Sequence, residues 1–279
     1  LQLVGQGVNV TRMKSKWLIL FIVFGLILTA CGGGSDDAAE VEEVVAEEPA
    51  ETLDAPATTA AAAEPEADPA SICLVLDIGG LGDLSFNDLA YSGYEKAIAD
   101  FGMEGTFLEP DGGGENRGEL LELCAEAGND LIIGNGFLFD ASMNEVAPNY
   151  PDLNFAITDG VAEPANVRGM LFDHAEGSFL AGVAAALKST NNHVGFLGGV
   201  DFPLIHEFEQ GFIAGVQAIN PDIVIEIGYA SVAPDFSGFN DVVKGKEIAL
   251  AQYEAGADVI YHAAGGTGTG MFEAAQEVS

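Results

Sequence analysis

Positive charge is what this sequence most lacks: 9 lysines and arginines stand against 44 aspartates and glutamates in 279 residues, a formal charge of −35. A field of that sign repels phosphate backbones and anionic bilayer surfaces, which excludes a nucleic-acid-binding role. Cysteine is scarce as well. Three cysteines cannot build a disulfide framework, because pairing two leaves one over. The apolar run from Trp17 to Leu28 falls well short of the ~20 residues that a bilayer-crossing helix needs. The four histidines, His174, His193, His206 and His262, lie far apart, with no H-E-x-x-H pattern and no cysteine pair at zinc spacing, so no metal site is expected. No G-x-S-x-G elbow occurs, since Glu176-Gly-Ser-Phe179 lacks the second glycine. Cys73, opening a buried strand, and Cys124, on a helix face, read as ordinary core positions rather than reactive thiols. These absences together point away from an enzyme.

What is present suits a folded chain. Apolar residues make up 48% and charged residues 19%, which excludes global disorder, and the length allows one large domain or two lobes. Lys14 and Lys16 precede the apolar run, and Leu28-Thr29-Ala30-Cys31 follows it, small residues before a cysteine as in a bacterial lipobox. We therefore expect a signal peptide within residues 1–30, with Met13 as its start and residues 1–12 as upstream sequence, and lipidation at Cys31. Residues 31–70 carry twelve acids, no base and almost no large apolar side chain, the composition of an acidic disordered tether. The remainder still holds 32 acids against six bases.

From residue 71 onward, short apolar runs alternate with helical patterns. Ile72–Asp77, Asp130–Ile133, Asn154–Thr158, Val194–Leu197 and Asp258–Tyr261 read as buried strands; Gly105–Leu108, Val167–Phe172 and Ile223–Gly228 are weaker. Helical patterns fill Asp88–Phe101, Gly118–Ala127, Ser142–Ala147, Glu176–Lys188, Ile205–Ile219 and Val242–Ala255. This alternation predicts parallel sheets flanked by helices, in an N-terminal lobe at 71–172 and a C-terminal lobe at 173–279, with a crossing near Leu171–Glu176. Each strong strand ends in glycine, aspartate or asparagine at the edge where open parallel sheets bind ligands. Two such lobes enclose a cleft that can close on a solute.

Gly80-Leu-Gly82-Asp-Leu-Ser85 imitates a dinucleotide fingerprint, with Glu109 imitating its ribose acid, but Ser85 occupies the close-packing third position and an exported protein has no ready supply of NAD. No cofactor is expected. Ser85 or Asn87 suits a cap for the next helix. Phe86, in a polar glycine-rich loop, and Phe239, in Ser237-Gly-Phe-Asn240, are isolated rings suited to stacking on a flat ligand face; a hydrophobic staple is the plainer role for Phe239.

Asp77-x-Gly-Gly with Ser85-Phe-Asn, Gly134-x-Gly-Phe137, Glu176-Gly-Ser-Phe-Leu-Ala-Gly182, Val194-Gly-Phe-Leu-Gly-Gly199, Lys244-Gly-Lys246 and His262-Ala-Ala-Gly-Gly-Thr-Gly268 together resemble the basic membrane protein family, substrate-binding lipoproteins of ABC transporters. The resemblance runs from Ile72 to the last residue. It implies a two-lobed type I periplasmic-binding-protein fold and a purine nucleoside held between two aromatic rings, which fall on Phe86 and Phe239. A base-reading aspartate falls on Asp140, with Asp159 as the alternative. Asp77 and Asn87 line the first lobe, with Gly79, Gly80 and Ser85 in the same loop, and Gly265 approaches the ribose beside Gly266. The family continues beyond Glu273–Ser279 with further strands and ribose-binding residues, so the second lobe is expected to be incomplete. The implied role is that of a lipid-anchored receptor, facing the periplasm or the cell exterior, that delivers its ligand to an ABC permease and ATPase. The net charge suits a neutral or weakly cationic ligand. A sugar receptor on the same fold, or a sensor or surface lipoprotein, is the alternative.

Overall fold

The computed structural model describes residues 69–279; the signal segment, Cys31 and nearly all of the tether expected at 31–70 lie outside the described residues. Among the described residues, eight strands form two parallel sheets. The first contains β1 (Ser71–Val75), β2 (Glu104–Leu108), β3 (Leu131–Gly134), β4 (Asn154–Thr158) and β5 (Val167–Met170) in the order β2-β1-β3-β4-β5. The second contains β6 (His193–Asp201), β7 (Val224–Val232) and β8 (Val259–Ala263) in the order β7-β6-β8. The described residues also form the helices α1 (Phe86–Phe101), α2 (Arg117–Glu126), α3 (Asp140–Val146), α4 (His174–Lys188), α5 (Pro203–Ile219) and α6 (Val242–Ala255) between strands, and α7 (Thr267–Val278) after the last. Among the described residues, no helix is long and apolar enough to cross a membrane.

In the first lobe, β1 is covered on both sides, and its period of two divides the core. Ile72, Leu74 and Leu76 pack with Tyr94 of α1, whereas Cys73 and Val75 pack with Leu121 and Cys124 of α2, Ile132 and Phe155. On that second face Cys73 and Cys124 are joined by a disulfide, their Cα atoms 5.8 Å apart. Two positions that read in sequence as ordinary core are thus a covalent link between sheet and helix. The second lobe is held by close backbone approach. Where α4 crosses α5, a Cβ at Gly215 would stand 2.0 Å from the Phe179 carbonyl oxygen, and one at Gly182 would stand 2.1 Å from that of Phe212. Only glycine allows this contact. Val194 and Phe196 of β6 then pack against Phe212 and Val216 of α5.

Most elements fall within two or three residues of the sequence expectation. The largest differences are β6 and β7, each 9 residues long where shorter runs were expected. Their extensions, Gly198-Gly-Val-Asp201 and Tyr229–Val232, pair with one another, so the ladder continues past the glycines at which the apolar pattern stops.

Candidate functional site

A cavity of about 320 Å³ opens at the C-terminal edges of both sheets, with walls from both lobes. The first lobe contributes the β1–α1 loop, and there the sequence dictates the local structure through side chains that accept from backbone N–H groups. Asp83, buried, accepts from the N–H groups of Ser85 (2.9 Å), Asn87 (2.9 Å) and Asp88 (3.1 Å). It is therefore Asp83 that caps α1; neither Ser85 nor Asn87 does, because an aspartate two residues ahead of the cap position reaches several free N–H groups at once. Asp88 accepts from Gly82 (2.7 Å) and Leu84 (3.0 Å), holding Leu84 at φ 51, and Glu109 accepts from Leu81 (2.8 Å). The apparent dinucleotide fingerprint is a loop tied down by its own carboxylates.

Asp77 and Asn87 sit at the floor of this loop and line the cavity. Asn87 is fully occupied by the protein: its Oδ1 accepts from the Asp77 N–H (2.9 Å) and its Nδ2 donates to the Ile78 carbonyl (3.1 Å) and to Asp83 (3.2 Å). Asp77 Oδ1 accepts from the Ile78 N–H (2.7 Å) and from Nε (2.9 Å) and Nη2 of Arg117. Burial pushes the Asp77 carboxyl above the usual carboxylate range, and the Arg117 guanidinium opposes that rise.

At the end of β4, Asp159 lines the cavity in a left-handed conformation, φ 56, with His174 Nε2 3.2 Å from its Oδ1. Burial raises its carboxyl, and the neighbouring imidazole works against it. His174, the first residue of α4, stacks on Phe208 of α5, ring centroids 4.4 Å apart, so the imidazole that meets Asp159 of the first lobe is seated on a helix of the second. The second lobe supplies a largely apolar wall: Phe208, Phe239, Tyr261 and the turn Ala263–Gly265. Phe137, from the turn after β3, stacks on Phe202 at 5.0 Å and meets Phe236 and Phe239 edge-on at 5.8 and 6.3 Å, joining the lobes through aromatic faces.

Of the residues expected from sequence, Asp77, Ser85, Phe86, Asn87, Asp159, Phe239 and Gly265 are brought together on the cavity. Gly79, Gly80, Asp140 and Gly266 are not on its lining. Gly79 and Gly80 serve the turn with φ 101 and 56, and Gly266 packs where a Cβ would meet Asn240 Oδ1 at 2.6 Å. Asp140 lies behind Gly160, its Oδ1 accepting from the Val161 N–H at 3.1 Å. Asp83, Phe137, Phe208, Tyr261 and His262 line the cavity and were not singled out from sequence. Phe208 and Tyr261 look like core within their helix and strand. Asp83 and His262 carried a signal, since both stand in loops or strand ends at the ligand-binding edge. His262 is largely buried with no partner for Nδ1 among the described residues; burial lowers its pKa, and Asp83 across the cavity opposes the drop. Among the described residues no cluster of His, Cys, Asp and Glu is arranged to hold a metal ion.

The family model described as ABC transporter substrate-binding protein PnrA-like matches residues 71–279. A CD4+ T-cell-stimulating antigen of Listeria innocua is 34% identical over 94% of this chain and 67% of its own length. An ABC transporter nucleoside-binding protein, BmpA, of Lactococcus lactis subsp. cremoris is 34% identical over 74% of this chain and 58% of its own. Among solved structures, an ABC transporter solute-binding protein from Aeropyrum pernix K1 superposes with a TM-score of 0.66 and 32% identity, over 75% of this chain and 59% of that one. The chain thus spans between 58% and 67% of the length of these relatives. With two parallel sheets meeting at a cavity and this match across every described element, the chain belongs to the PnrA-like family of ABC transporter substrate-binding proteins, which bind their substrates rather than transform them, and has the type I periplasmic-binding-protein fold.

Proposed function

We propose that the protein captures a purine nucleoside between its lobes and delivers it to an ABC permease, held at the membrane by a lipid on Cys31. The observation that carries this reading is that Phe86 from one lobe and Phe239 from the other line a single cavity together with the carboxylates of Asp77 and Asp159. Aromatic faces suit a planar base, and carboxylates accept from base N–H groups or ribose hydroxyls. The cavity, about 320 Å³, is at the small end of ligand pockets, which suits a nucleoside. Phosphate is disfavoured, because three carboxylates line the wall. A sugar receptor is less well supported, since the Asn87 amide that would serve hydroxyls is consumed within the loop. The name of the Lactococcus relative agrees with the nucleoside reading.

Calorimetric titration of the protein with adenosine, guanosine, inosine, ribose and AMP tests it. Heat is expected for a nucleoside and little for AMP; tight ribose binding with no nucleoside response would overturn the assignment. Mass spectrometry of the mature N-terminus after expression in a lipoprotein-processing bacterium tests the anchor. A diacylglycerol-bearing Cys31 is expected, absent in Cys31→Ser, and an unlipidated N-terminus at Met13 would refute it.

A further inference from the structure

Arg117 is one of only six bases from residue 71 onward and does not itself line the cavity, yet it is fixed in three ways. Its Nε and Nη2 donate to Asp77 Oδ1, its Nη1 donates to the Gly114 carbonyl (2.7 Å), and its guanidinium carbon lies 5.6 Å from the centroid of the Phe139 ring. Gly114, at φ 75, leaves the room: a Cβ there would stand 2.4 Å from Nη2. Both Arg117 and Asp77 are largely buried, their side chains 12% and 10% exposed, so this is no screened surface pair. The planar fork occupies Oδ1 together with the Ile78 N–H and turns Oδ2 toward Gly136, where a Cβ would meet it at 2.8 Å and the Phe86 ring at 3.4 Å.

We propose that Arg117 is a positioning residue of the binding site: it keeps Asp77 an oriented, ionised acceptor whose Oδ2 is presented to the ligand beside Phe86. The inference rests on the nucleoside reading for its ligand and on the geometry alone for its effect on Asp77. Without the guanidinium, only the Ile78 N–H still offsets the desolvation of the carboxylate, and the acid form, which turns one oxygen into a donor, gains. Asp83, Asp159, Tyr261 and His262 also line the cavity; they are common to all variants, so the comparison isolates the change at position 117.

The test measures inosine and guanosine dissociation constants at pH 6 and pH 8 for wild type, Arg117→Gln and Arg117→Lys, and follows the Asp77 side-chain carboxyl by carbon NMR in the ligand-free proteins. Arg117→Gln is expected to weaken binding more at pH 6 than at pH 8, its pH 6 to pH 8 ratio exceeding that of wild type about tenfold, and Arg117→Lys should restore most of the wild-type profile. The Asp77 titration midpoint should rise in Arg117→Gln. The same pH ratio in wild type and Arg117→Gln, or a uniform loss of affinity accompanied by a lower melting temperature, would overturn the proposal. If no nucleoside binds even the wild type, the nucleoside reading fails, and an Asp77 midpoint unmoved by Arg117→Gln would then reject the role of Arg117 independently.

Discussion

The two lobes share one architecture and are stabilised by different means. The first is built around buried polar chemistry: Asp77, Asp83 and Asn87 with Arg117 at the loop that meets the ligand edge, and a disulfide tying β1 to α2 behind it. The second relies on glycine-mediated backbone contact between α4 and α5, and again between α6 and α7, where a Cβ at Gly270 would lie 2.0 Å from the Val242 carbonyl oxygen. Its contribution to the cavity is largely apolar, with Leu204, Ile205, Phe208, Phe239 and Tyr261 and no carboxylate. Buried carboxylates and their hydrogen bonds are thus concentrated on the first lobe's side of the cavity, and both lobes contribute rings to its lining.

The largest expected break in this contrast is covalent. The disulfide spans a sequence separation of 51, and the chain-entropy model gives such a loop ~4 kcal/mol. Cys73→Ser with Cys124→Ser should destabilise the first lobe by up to that amount, and hydrogen exchange resolved by residue should show accelerated opening of β1 and α2 while β6 is spared. Uniform acceleration in both lobes would show that they unfold as one unit.

Gly215→Ala makes the opposite test. A methyl group placed 2.0 Å from the Phe179 carbonyl must separate α4 from α5, and overpacking of this kind costs about 1–3 kcal/mol. Denaturant titration should show that loss with protection of the first sheet unchanged. A neutral substitution would mean that the helices can slide apart at no cost.

Binding should respond to both lobes. Ring-on-base stacking contributes roughly 1–3 kcal/mol per ring, so Phe86→Ala and Phe239→Ala should each weaken nucleoside binding about ten- to a hundredfold, whereas Tyr replacements keep most of the affinity. A lower melting temperature with an unchanged dissociation constant would reduce either ring to packing, a particular test for Phe239, whose edge-on contact with Phe137 gives it a packing role.

Asp83→Ala should cost about 1 kcal/mol through the lost α1 cap, read as a lower melting temperature. The smallest effect concerns His262. Because burial disfavours its imidazolium, the unfolded chain binds more protons than the folded one between the lowered folded pKa and the ordinary 6.5, so stability rises with pH across that window. Acidification through it should lower the melting temperature more in wild type than in His262→Gln, and equal slopes would remove His262 from the pH response.

Much of this was legible in one dimension. Apolar runs ended by glycine or aspartate place the strands, the 3.6 period places the helices, and the loop from Asp77 to Asp88 announces a ligand edge, because local geometry and burial on both faces leave a direct imprint on composition. The resemblance carried by the ordered motifs reached the family. The fold alone decided the rest. Asp159 reached the cavity wall and Asp140 did not, since the two lie 19 residues apart and only the packing of α3 against β4 determines which faces inward. The bond between Cys73 and Cys124 and the ion pair between Asp77 and Arg117, with separations of 51 and 40, depend on α2 folding back over β1. Phe208 and Tyr261 became site residues for the same reason: periodicity tells whether a side chain is buried, and only the meeting of two lobes tells whether it is buried against protein or against a ligand's space.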